Sequence, residues 1–289
     1  MDQRSASTGR AGTVDGLRAV DGRPRVWGIL NVTPDSFSDG GRWLEPEAAV
    51  EQALRLLQAG ADVLDVGGES TRPGASTVPV EEELRRVVPV LAALSRAGVR
   101  APLSVDTRKA AVAEAALDAG ATIVNDVSAG RFDPALLPLV ARRGAGLVLM
   151  HMQGEPGSMQ RAPAYRDVLA EVEAFLLERR AAAEAAGVRR ERVLLDPGLG
   201  FGKTLEHNLA LLAGLERLTA HGPLLLGASR KSFLGSLTGR LPADRLVGSL
   251  AAAARGCFAG VTDLRVHDVA ETAELLRVLA RISPPRPSL

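Results

Sequence analysis

Short apolar runs alternate along this chain with longer runs rich in Ala, Leu, Glu and Arg. The short runs lack polar alternation, which is typical of parallel strands buried on both faces. They predict strands at 26–30, 63–66, 103–105, 123–124, 146–150, 193–195, 224–226 and 264–266. The runs between them predict helices at 47–59, 80–97, 109–119, 134–143, 165–186, 207–218, 244–258 and 269–280. Eight such units favour an α/β fold, a single closed (β/α)8 or TIM barrel, over an open doubly wound sheet.

Polar or glycine-rich segments follow almost every predicted strand. These segments are 31–41, 67–76, 106–108, 125–130, 151–154, 196–204, 229–235 and 267–268. In a barrel of parallel strands they meet at one rim, where the active sites of such barrels lie. The pattern therefore predicts a ligand site at the C-terminal ends of the strands.

Length, composition and charge limit the possible functions. The chain has 289 residues and no internal linker rich in Pro, Gly or Ser, so we predict one barrel domain over 13–289 after a mobile tail, 1–12. The net charge of +1 gives no general attraction to nucleic acid or to anionic membranes. Cys257 is the only cysteine, which excludes internal disulfides and cysteine-based metal sites. No apolar stretch approaches the ~20 residues that span a bilayer, and the N-terminus lacks a signal core, so we expect a cytoplasmic protein.

Two carboxylates and an amide at the predicted rim suit a planar heterocycle. Asp106 and Asp196 each follow a buried strand, and Asn125 follows another. A carboxylate accepts two parallel hydrogen bonds from an amidine-like edge, as it does from a guanidinium group. Either aspartate could instead cap the next helix. This alternative is stronger for Asp106, because Thr107 and Lys109 open a helix, whereas a glycine-rich segment follows Asp196.

That glycine-rich segment does not fit the known nucleotide loops. Its glycines lie at 198, 200 and 202, which is not the GxGxxG spacing, and a Walker A loop would need glycine where Pro197 stands. Spacing therefore excludes both the dinucleotide-binding loop and the P-loop.

Basic side chains at the same rim suit an anion with several oxygens. Arg72 and Lys231 lie in polar segments, and Arg265 and His267 alternate along the last strand, so both can face the same side. With the Thr71 hydroxyl, these groups would suit a diphosphate, which needs several directed donors. A solvated arginine and a buried structural histidine remain the alternatives for Arg72 and His267.

Asn31 ends the first predicted strand. Its side-chain oxygen is a hard ligand that could help to hold Mg²⁺, an ion that normally keeps several waters. The sequence contains no HExxH motif and no His/Cys ligand spacing that would indicate zinc.

Eight sequence blocks resemble those of the dihydropteroate synthase family. GILNVTPDSFSDGG (28–41) is similar to the first signature of that family, and DVGGESTRPGA (65–75) to the second. The further blocks, in the family's order, are SVDTRK (104–109), NDVS (125–128), LMHMQG (149–154), LDPGLGFGKT (195–204), GASRKSFLG (227–235) and RVHDV (265–269). The resemblance covers roughly 25–282, and Leu199 stands where many members carry Phe.

The resemblance implies a β/α barrel that joins (7,8-dihydropterin-6-yl)methyl diphosphate to 4-aminobenzoate, giving 7,8-dihydropteroate and diphosphate in folate biosynthesis. It implies that Mg²⁺ is bound by Asn31. It implies that the diphosphate or nearby ring atoms are contacted by Thr71, Arg72, Arg265 and His267. It implies a pterin pocket lined by Asp106, Asn125, Met150, Asp196, Phe201, Lys231 and Arg265, and it places Val266 among the substrate-binding residues. It implies a 4-aminobenzoate site shaped by Phe37, Pro73 and Ser232.

The resemblance also implies the chemistry of a transferase. The expected catalytic residues are Asp106, Asp196, Lys231, Arg265 and His267. Diphosphate would leave first, and the aromatic amine would then attack the methylene carbon of a delocalised pterin cation. Members of the family are homodimers and targets of sulfonamides, and we expect the same of this chain.

Two other functions are weighed against this one. A methyltetrahydrofolate-dependent methyltransferase domain would share the barrel and the pterin-binding carboxylates. It would have no reason to carry the basic residues at the rim, including Arg72 and Lys231. A non-catalytic paralogue that binds a pterin or a protein partner is the second alternative; Phe37, Ser232 and the segment 70–73 argue against it.

Overall fold

Eight parallel strands form one sheet in the order β6-β5-β4-β3-β2-β1-β8-β7. The computed structural model describes residues 23–33, 46–70, 75 and 77–282. The strands are β1 (Arg25–Asn31), β2 (Val63–Gly67), β3 (Leu103–Asp106), β4 (Ile123–Asp126), β5 (Gly146–Met150), β6 (Val193–Asp196), β7 (Leu225–Leu226) and β8 (Asp263–Val266). A parallel bridge from Leu195 to Leu224 joins β6 to β7. The sheet thus closes into a barrel, and the predicted (β/α)8 architecture is confirmed.

Helices connect the strands and cover the outside of the barrel. They are α1 (Pro46–Gln58), α2 (Val80–Arg96), α3 (Ala110–Asp118), α4 (Leu136–Arg143), α5 (Val168–Ala185), α6 (Leu205–Ala213), α7 (Leu215–Thr219), α8 (Ser232–Thr238), α9 (Leu246–Ala259) and α10 (Val269–Ile282). In the described part of the chain, no helix is long and apolar enough to cross a membrane.

Successive side chains of each strand belong to two different apolar layers, because the side-chain period of a strand is two. One layer fills the inside of the barrel and consists of Trp27, Val63, Ile123, Val148, Leu194 and Leu225. The neighbouring strand residues, such as Val26 and Leu64, belong to the larger core between barrel and helices. Each unbroken apolar run of the sequence therefore contributes side chains to both layers.

A buried ion pair closes the N-terminal end of the barrel. Arg25 and Asp263 stand opposite each other in the pairing of β1 with β8, and Arg25 Nη2 lies 2.6 Å from Asp263 Oδ1. Trp27 Nε1 donates to the same carboxylate oxygen at 2.7 Å. Arg25, Asp263 and Trp27 therefore contact one another at this end, opposite the rim that is predicted to bind ligands.

Three differences from the sequence prediction affect the rim. The predicted helix 207–218 is two helices, α6 and α7, which meet at Gly214, where an added Cβ would lie 2.3 Å from Leu169 Cδ2. The short helix α8 was not predicted. Several strands extend to the polar residues that were expected just beyond them, including Asn31, Asp106 and Asp196. The expected mobile tail, 1–12, lies outside the described residues.

Candidate active site

Arg265 joins two carboxylates across the inside of the barrel. Its Nε donates to Asp65 Oδ2 at 2.6 Å, and its Nη2 donates to Asp106 Oδ2 at 2.8 Å. Asn125 Nδ2 donates to the same Asp65 oxygen at 3.1 Å. Side chains from β2, β3, β4 and β8 therefore form one hydrogen-bonded group near the C-terminal ends of the strands.

Asp106 is an inward-facing strand residue and not a helix cap. Helix α3 begins at Ala110, whose backbone N–H donates to Asp133 Oδ2 at 2.8 Å, so the capping alternative is wrong for Asp106. Burial raises the pKa of Asp106 to about 7, against the attraction of Arg265, and the charge of Asp65 raises this pKa further. A ligand that donates hydrogen bonds to Asp106 would favour its ionised form.

Asp196 and Lys231 stand on the other side of the rim. Asp196 Oδ1 accepts from the backbone N–H of Gly198 at 2.7 Å, so this carboxylate shapes its own turn and caps no helix. Burial raises the pKa of Asp196, and Lys231 opposes the shift. Burial lowers the pKa of Lys231 to about 8, and the attraction of Asp196 limits that shift.

Two inward positions between these groups are glycines. An added Cβ at Gly227 would lie 3.7 Å from Lys231 Nζ and 4.0 Å from Asp196 Oδ2. An added Cβ at Gly67 would lie 3.5 Å from Asp106 Cβ and 3.7 Å from Asn31 Oδ1. The absence of side chains here leaves the polar groups of the rim accessible to a flat ligand.

The loop after β6 is held in place by a buried lysine. Lys203 Nζ donates to Gly198 O at 2.9 Å and to Phe201 O at 3.0 Å, and it lies 2.9 Å from His151 Nδ1. Gly198 has a φ of +64°, and an added Cβ there would lie 1.9 Å from His151 O, so no other residue fits without movement. Burial and the Lys203 charge lower the pKa of His151 to about 3, which keeps this imidazole neutral.

The same loop supplies an apolar wall beside the charged groups. Phe201 packs against a cluster that contains Met150, Met152, Met159 and Val127. Lys231 Nζ lies 4.7 Å from the centroid of the Phe201 ring and donates to the backbone O of Leu199. Met150 and Phe201, predicted as pocket walls, therefore lie together next to Lys231.

Arg230, the residue before Lys231 and Ser232, has a strained backbone. Its φ is +57°, a conformation that costs energy for a residue with a side chain. Arg230 Nε donates to Asp268 Oδ2 at 3.0 Å, and its backbone N–H donates to Ser249 Oγ at 2.9 Å. Lys231 follows directly, and Ser232 is the exposed first residue of α8.

The side of the rim predicted to bind an anion carries Arg265, His267 and Asn31. His267 Nδ1 lies 3.1 Å from Ser229 Oγ, and its backbone N–H donates to the same oxygen at 3.2 Å. Asn31 Oδ1 and Asp106 Oδ2 both lie within 4 Å of the space that a Cβ on Gly67 would fill, at 3.7 and 3.8 Å. Two hard oxygens beside an open space fit Mg²⁺, which takes few protein ligands and keeps waters or phosphate oxygens. Among the described residues, no cluster of three or more His, Cys, Asp or Glu could hold a metal ion.

Four predicted site residues, Phe37, Thr71, Arg72 and Pro73, lie outside the described residues. The chain on both sides of 71–74 is nevertheless anchored by a buried ionic cluster. Arg108 Nη2 donates to Glu69 Oε1 at 3.1 Å and to Thr77 Oγ1 at 3.3 Å. Lys109 Nζ binds Glu69 and Glu83 and donates to Val78 O at 2.7 Å.

One predicted residue is placed differently, and one residue was missed. The side chain of Val266 packs in the apolar layer between barrel and helices, because it alternates with the inward-facing Arg265. The predicted part of Val266 in substrate binding therefore concerns its backbone and stays a prediction. Asp65 was missed, although it lies at the centre of the polar group. An aspartate inside the apolar run VLDVG was the signal that could have revealed it.

The comparisons with known proteins agree with this geometry. The sequence model described as "Pterin binding enzyme" matches residues 27–267. The chain therefore belongs to the pterin binding enzyme family. Its relatives in that family are dihydropteroate synthases: the protein of Escherichia coli strain K12 is 49% identical over 89% of this chain and 90% of its own length. That of Mycobacterium leprae is 49% identical over 88% of this chain and 92% of its own length.

Solved structures of dihydropteroate synthases match the whole barrel. The Xanthomonas albilineans enzyme with 4-aminobenzoic acid has a TM-score of 0.85 and 54% identity, covering 91% of this chain and 94% of its own. The same enzyme in complex with 7,8-dihydropteroate has a TM-score of 0.82 and 51% identity, covering 91% and 95%. The Yersinia pestis enzyme in a sulfonamide drug complex has a TM-score of 0.86 and 46% identity, covering 91% and 95%.

Proposed function

We propose that this chain condenses (7,8-dihydropterin-6-yl)methyl diphosphate with 4-aminobenzoate to give 7,8-dihydropteroate and diphosphate. One observation carries the proposal from the residues: two buried carboxylates and the half-buried Lys231 border the space left by Gly67 and Gly227. A flat ring with hydrogen-bond donors on several edges suits such a space. Membership of the dihydropteroate synthases supplies the identity of that ring.

The pterin ring is held by acceptors on both sides of the rim. Asp196 keeps one oxygen on the Gly198 N–H and offers the other to ring N–H groups. Asp106 and Asn125 face it from β3 and β4, which pair at these two residues. Met150 and Phe201 form the apolar wall that covers a ring face. Polar edges and an apolar face together select a planar heterocycle.

The leaving diphosphate is held by Arg265 and His267, with Thr71 and Arg72 contributing by resemblance. The Arg265 guanidinium has five N–H donors and uses Nε and Nη2 for Asp65 and Asp106, so other donors can reach phosphate oxygens. Asn31, with Asp106 beside it, would hold Mg²⁺ near these oxygens. When bound, Mg²⁺ would offset the negative charge that develops on the diphosphate.

The reaction is dissociative. The bond between the methylene carbon and the diphosphate oxygen breaks, and the electron pair leaves with the oxygen while Arg265 and His267 stabilise the growing charge. The positive charge spreads into the dihydropterin ring, where the carboxylates of Asp106 and Asp196 stabilise it. The amine nitrogen of 4-aminobenzoate forms the new bond to carbon and releases a proton to solvent. No covalent bond to the protein forms.

The 4-aminobenzoate lies on the open side of the pterin, next to the first turn of α8. Ser232 is exposed there and follows Lys231 directly, so its hydroxyl and the first backbone N–H groups of the turn suit a carboxylate. Phe37 and Pro73 complete this site by resemblance. A sulfonamide that mimics 4-aminobenzoate would occupy the same place.

Released diphosphate tests the proposed function directly. Purified protein is incubated with the pterin diphosphate, 4-aminobenzoate and Mg²⁺, and diphosphate and dihydropteroate are measured together. Stoichiometric formation of both, dependent on 4-aminobenzoate, is the expected result. Binding of the pterin without either product would indicate a non-catalytic paralogue. Methyl transfer from methyltetrahydrofolate would indicate the methyltransferase alternative.

The remaining expectations concern the form of the protein in the cell. We place one domain over residues 13–289 and the protein in the cytoplasm. We also expect a homodimer through the outer faces of α9 and α10, which pack against each other. On α9, Val247 is 79% exposed, and on α10 Val278 and Ile282 are 51% and 69% exposed. A second copy that covered these side chains would remove apolar surface from water.

A further inference from the structure

We propose that Asp65 is a positioning residue that fixes both the guanidinium of Arg265 and the orientation of the Asn125 amide for pterin binding. This inference rests on the proposed function of the site. Asp65 is the third residue of β2, fully buried inside the barrel. It lies below Gly67, the next inward residue of the strand, and thus below the space assigned to the ligand.

The contact with Arg265 determines where the remaining guanidinium donors point. Nε and Nη2 bind different carboxylates, on β2 and β3, at 2.6 and 2.8 Å. A planar group held at two corners has one orientation, so its remaining N–H groups have fixed directions. Without Asp65, the guanidinium would keep only the Asp106 contact and could rotate about it. Asp65 therefore aligns Arg265 without touching the ligand itself.

The contact with Asn125 determines which atom of the amide faces the ligand. Asn125 Nδ2 donates to Asp65 Oδ2 at 3.1 Å. If the amide were reversed, its oxygen would face the carboxylate oxygen, and two acceptors would repel each other. Asp65 therefore leaves the Asn125 oxygen to accept from a ring N–H. The sequence separation of the three residues excludes a local role in one turn, because Asp65 and Arg265 are 200 positions apart.

The experiment compares Asp65→Asn with a matched control, Asp263→Asn. Both aspartates are fully buried inside the same barrel and bind an arginine. Asp263, however, lies at the N-terminal end, where it binds Arg25 and Trp27. For each variant, kcat and KM for the pterin diphosphate are measured, and unfolding is followed by thermal melting.

The expected result separates the two variants. Asp65→Asn raises KM for the pterin diphosphate by roughly 10- to 100-fold, within the range of coupling between residues in one network. Asp263→Asn can lower the melting temperature, but its KM stays that of the wild type. If both variants change KM alike, Asp65 is only a structural residue and the inference fails.

A second measurement asks whether Asp65 acts through Arg265, and it uses the smaller Asp65→Ser if Asp65→Asn folds poorly. The Asp65 variant and Arg265→Gln are combined, and affinity for 7,8-dihydropteroate is measured by calorimetry for the wild type, each single variant and the double variant. Action through Arg265 predicts a double variant that binds about as weakly as Arg265→Gln alone. Independent, additive losses would overturn that part of the proposal. If the wild type itself binds no pterin, the proposed function fails, and not this inference.

Discussion

Replacement of Asp196 by Asn tests the proposed pterin pocket with a change of a single atom. The Gly198 N–H lies 2.7 Å from Asp196 Oδ1 and requires an acceptor. An asparagine therefore turns its oxygen toward Gly198 and its NH₂ group toward the space beside Gly227. A ring N–H that met a carboxylate oxygen in the wild type would meet another donor in the variant.

The loss of affinity follows from two contributions. One hydrogen bond to a charged acceptor is lost, at about 1.5–3 kcal/mol, and a buried donor is left unpaired, at about 1–3 kcal/mol. Together they weaken binding by roughly 2.5–6 kcal/mol. At about 1.4 kcal/mol per tenfold change, the Kd rises roughly 60- to 20,000-fold.

Stability changes much less than affinity. Burial raises the pKa of Asp196 above its ordinary value of 3.8. The folded protein therefore binds this proton more tightly than the unfolded chain, so the carboxylate costs stability increasingly as pH rises above that value. Asn removes this cost but deprives the half-buried Lys231 of an attractive charge. Because these effects oppose each other, we expect a melting temperature within about 4 °C of the wild type.

Calorimetry with 7,8-dihydropteroate measures the affinity without turnover. The control is Asp126→Asn, which alters another buried strand-end carboxylate. Asp126 Oδ1 accepts from Ser128 N at 2.7 Å, within its own turn, so its variant should keep the wild-type Kd. Affinity of Asp196→Asn within about threefold of the wild type, in a protein that melts normally, would refute the role given to Asp196.

Three further predictions concern the metal, the open space and the assembly. Removal of divalent ions with a chelator should abolish turnover, and Mg²⁺ should restore it; full activity without metal would contradict the role of Asn31. Gly227→Ala should fold normally, because its Cβ has no neighbour closer than 3.7 Å, yet it should raise KM for the pterin diphosphate more than tenfold; an unchanged KM would place the ring elsewhere. Val247→Glu should produce monomers in sedimentation equilibrium, whereas Leu54→Glu on α1 should not. A dimeric Val247→Glu would locate the interface on another face.

The barrel could be predicted from the sequence because a local pattern, an apolar run followed by an amphipathic run, is repeated along the chain. Each apolar run predicts a strand, and each amphipathic run predicts a helix to cover it. The division of 207–218 into α6 and α7 could not be predicted, because it depends on the approach of Leu169 to Gly214 across the fold. Helix α8 was not predicted, because it begins within the polar segment 229–235, which was assigned to the ligand site.

The site residues that could be predicted are polar residues at the ends of apolar runs, because strand ends meet at the rim. Asp106, Asn125 and Asp196 were found in this way. Asp65 was missed because it lies inside a run rather than at its end, and its partner Arg265 is 200 residues away. Val266 was predicted from resemblance over a whole block, and strand alternation turns its side chain away from the rim, so only its backbone is left for a contact with substrate.

The barrel has one narrow seam, and the proposed pterin site lies across it. Strand β7 has two residues, and a single bridge, Leu195 to Leu224, joins it to β6. Asp196 ends one side of the seam, and Gly227 and Lys231 follow the other. A pterin bound to both sides of the seam therefore holds β6 and β7 together. Amide hydrogens of residues 224–227 should exchange with solvent more slowly when it is bound, because opening of the seam then requires release of the ligand.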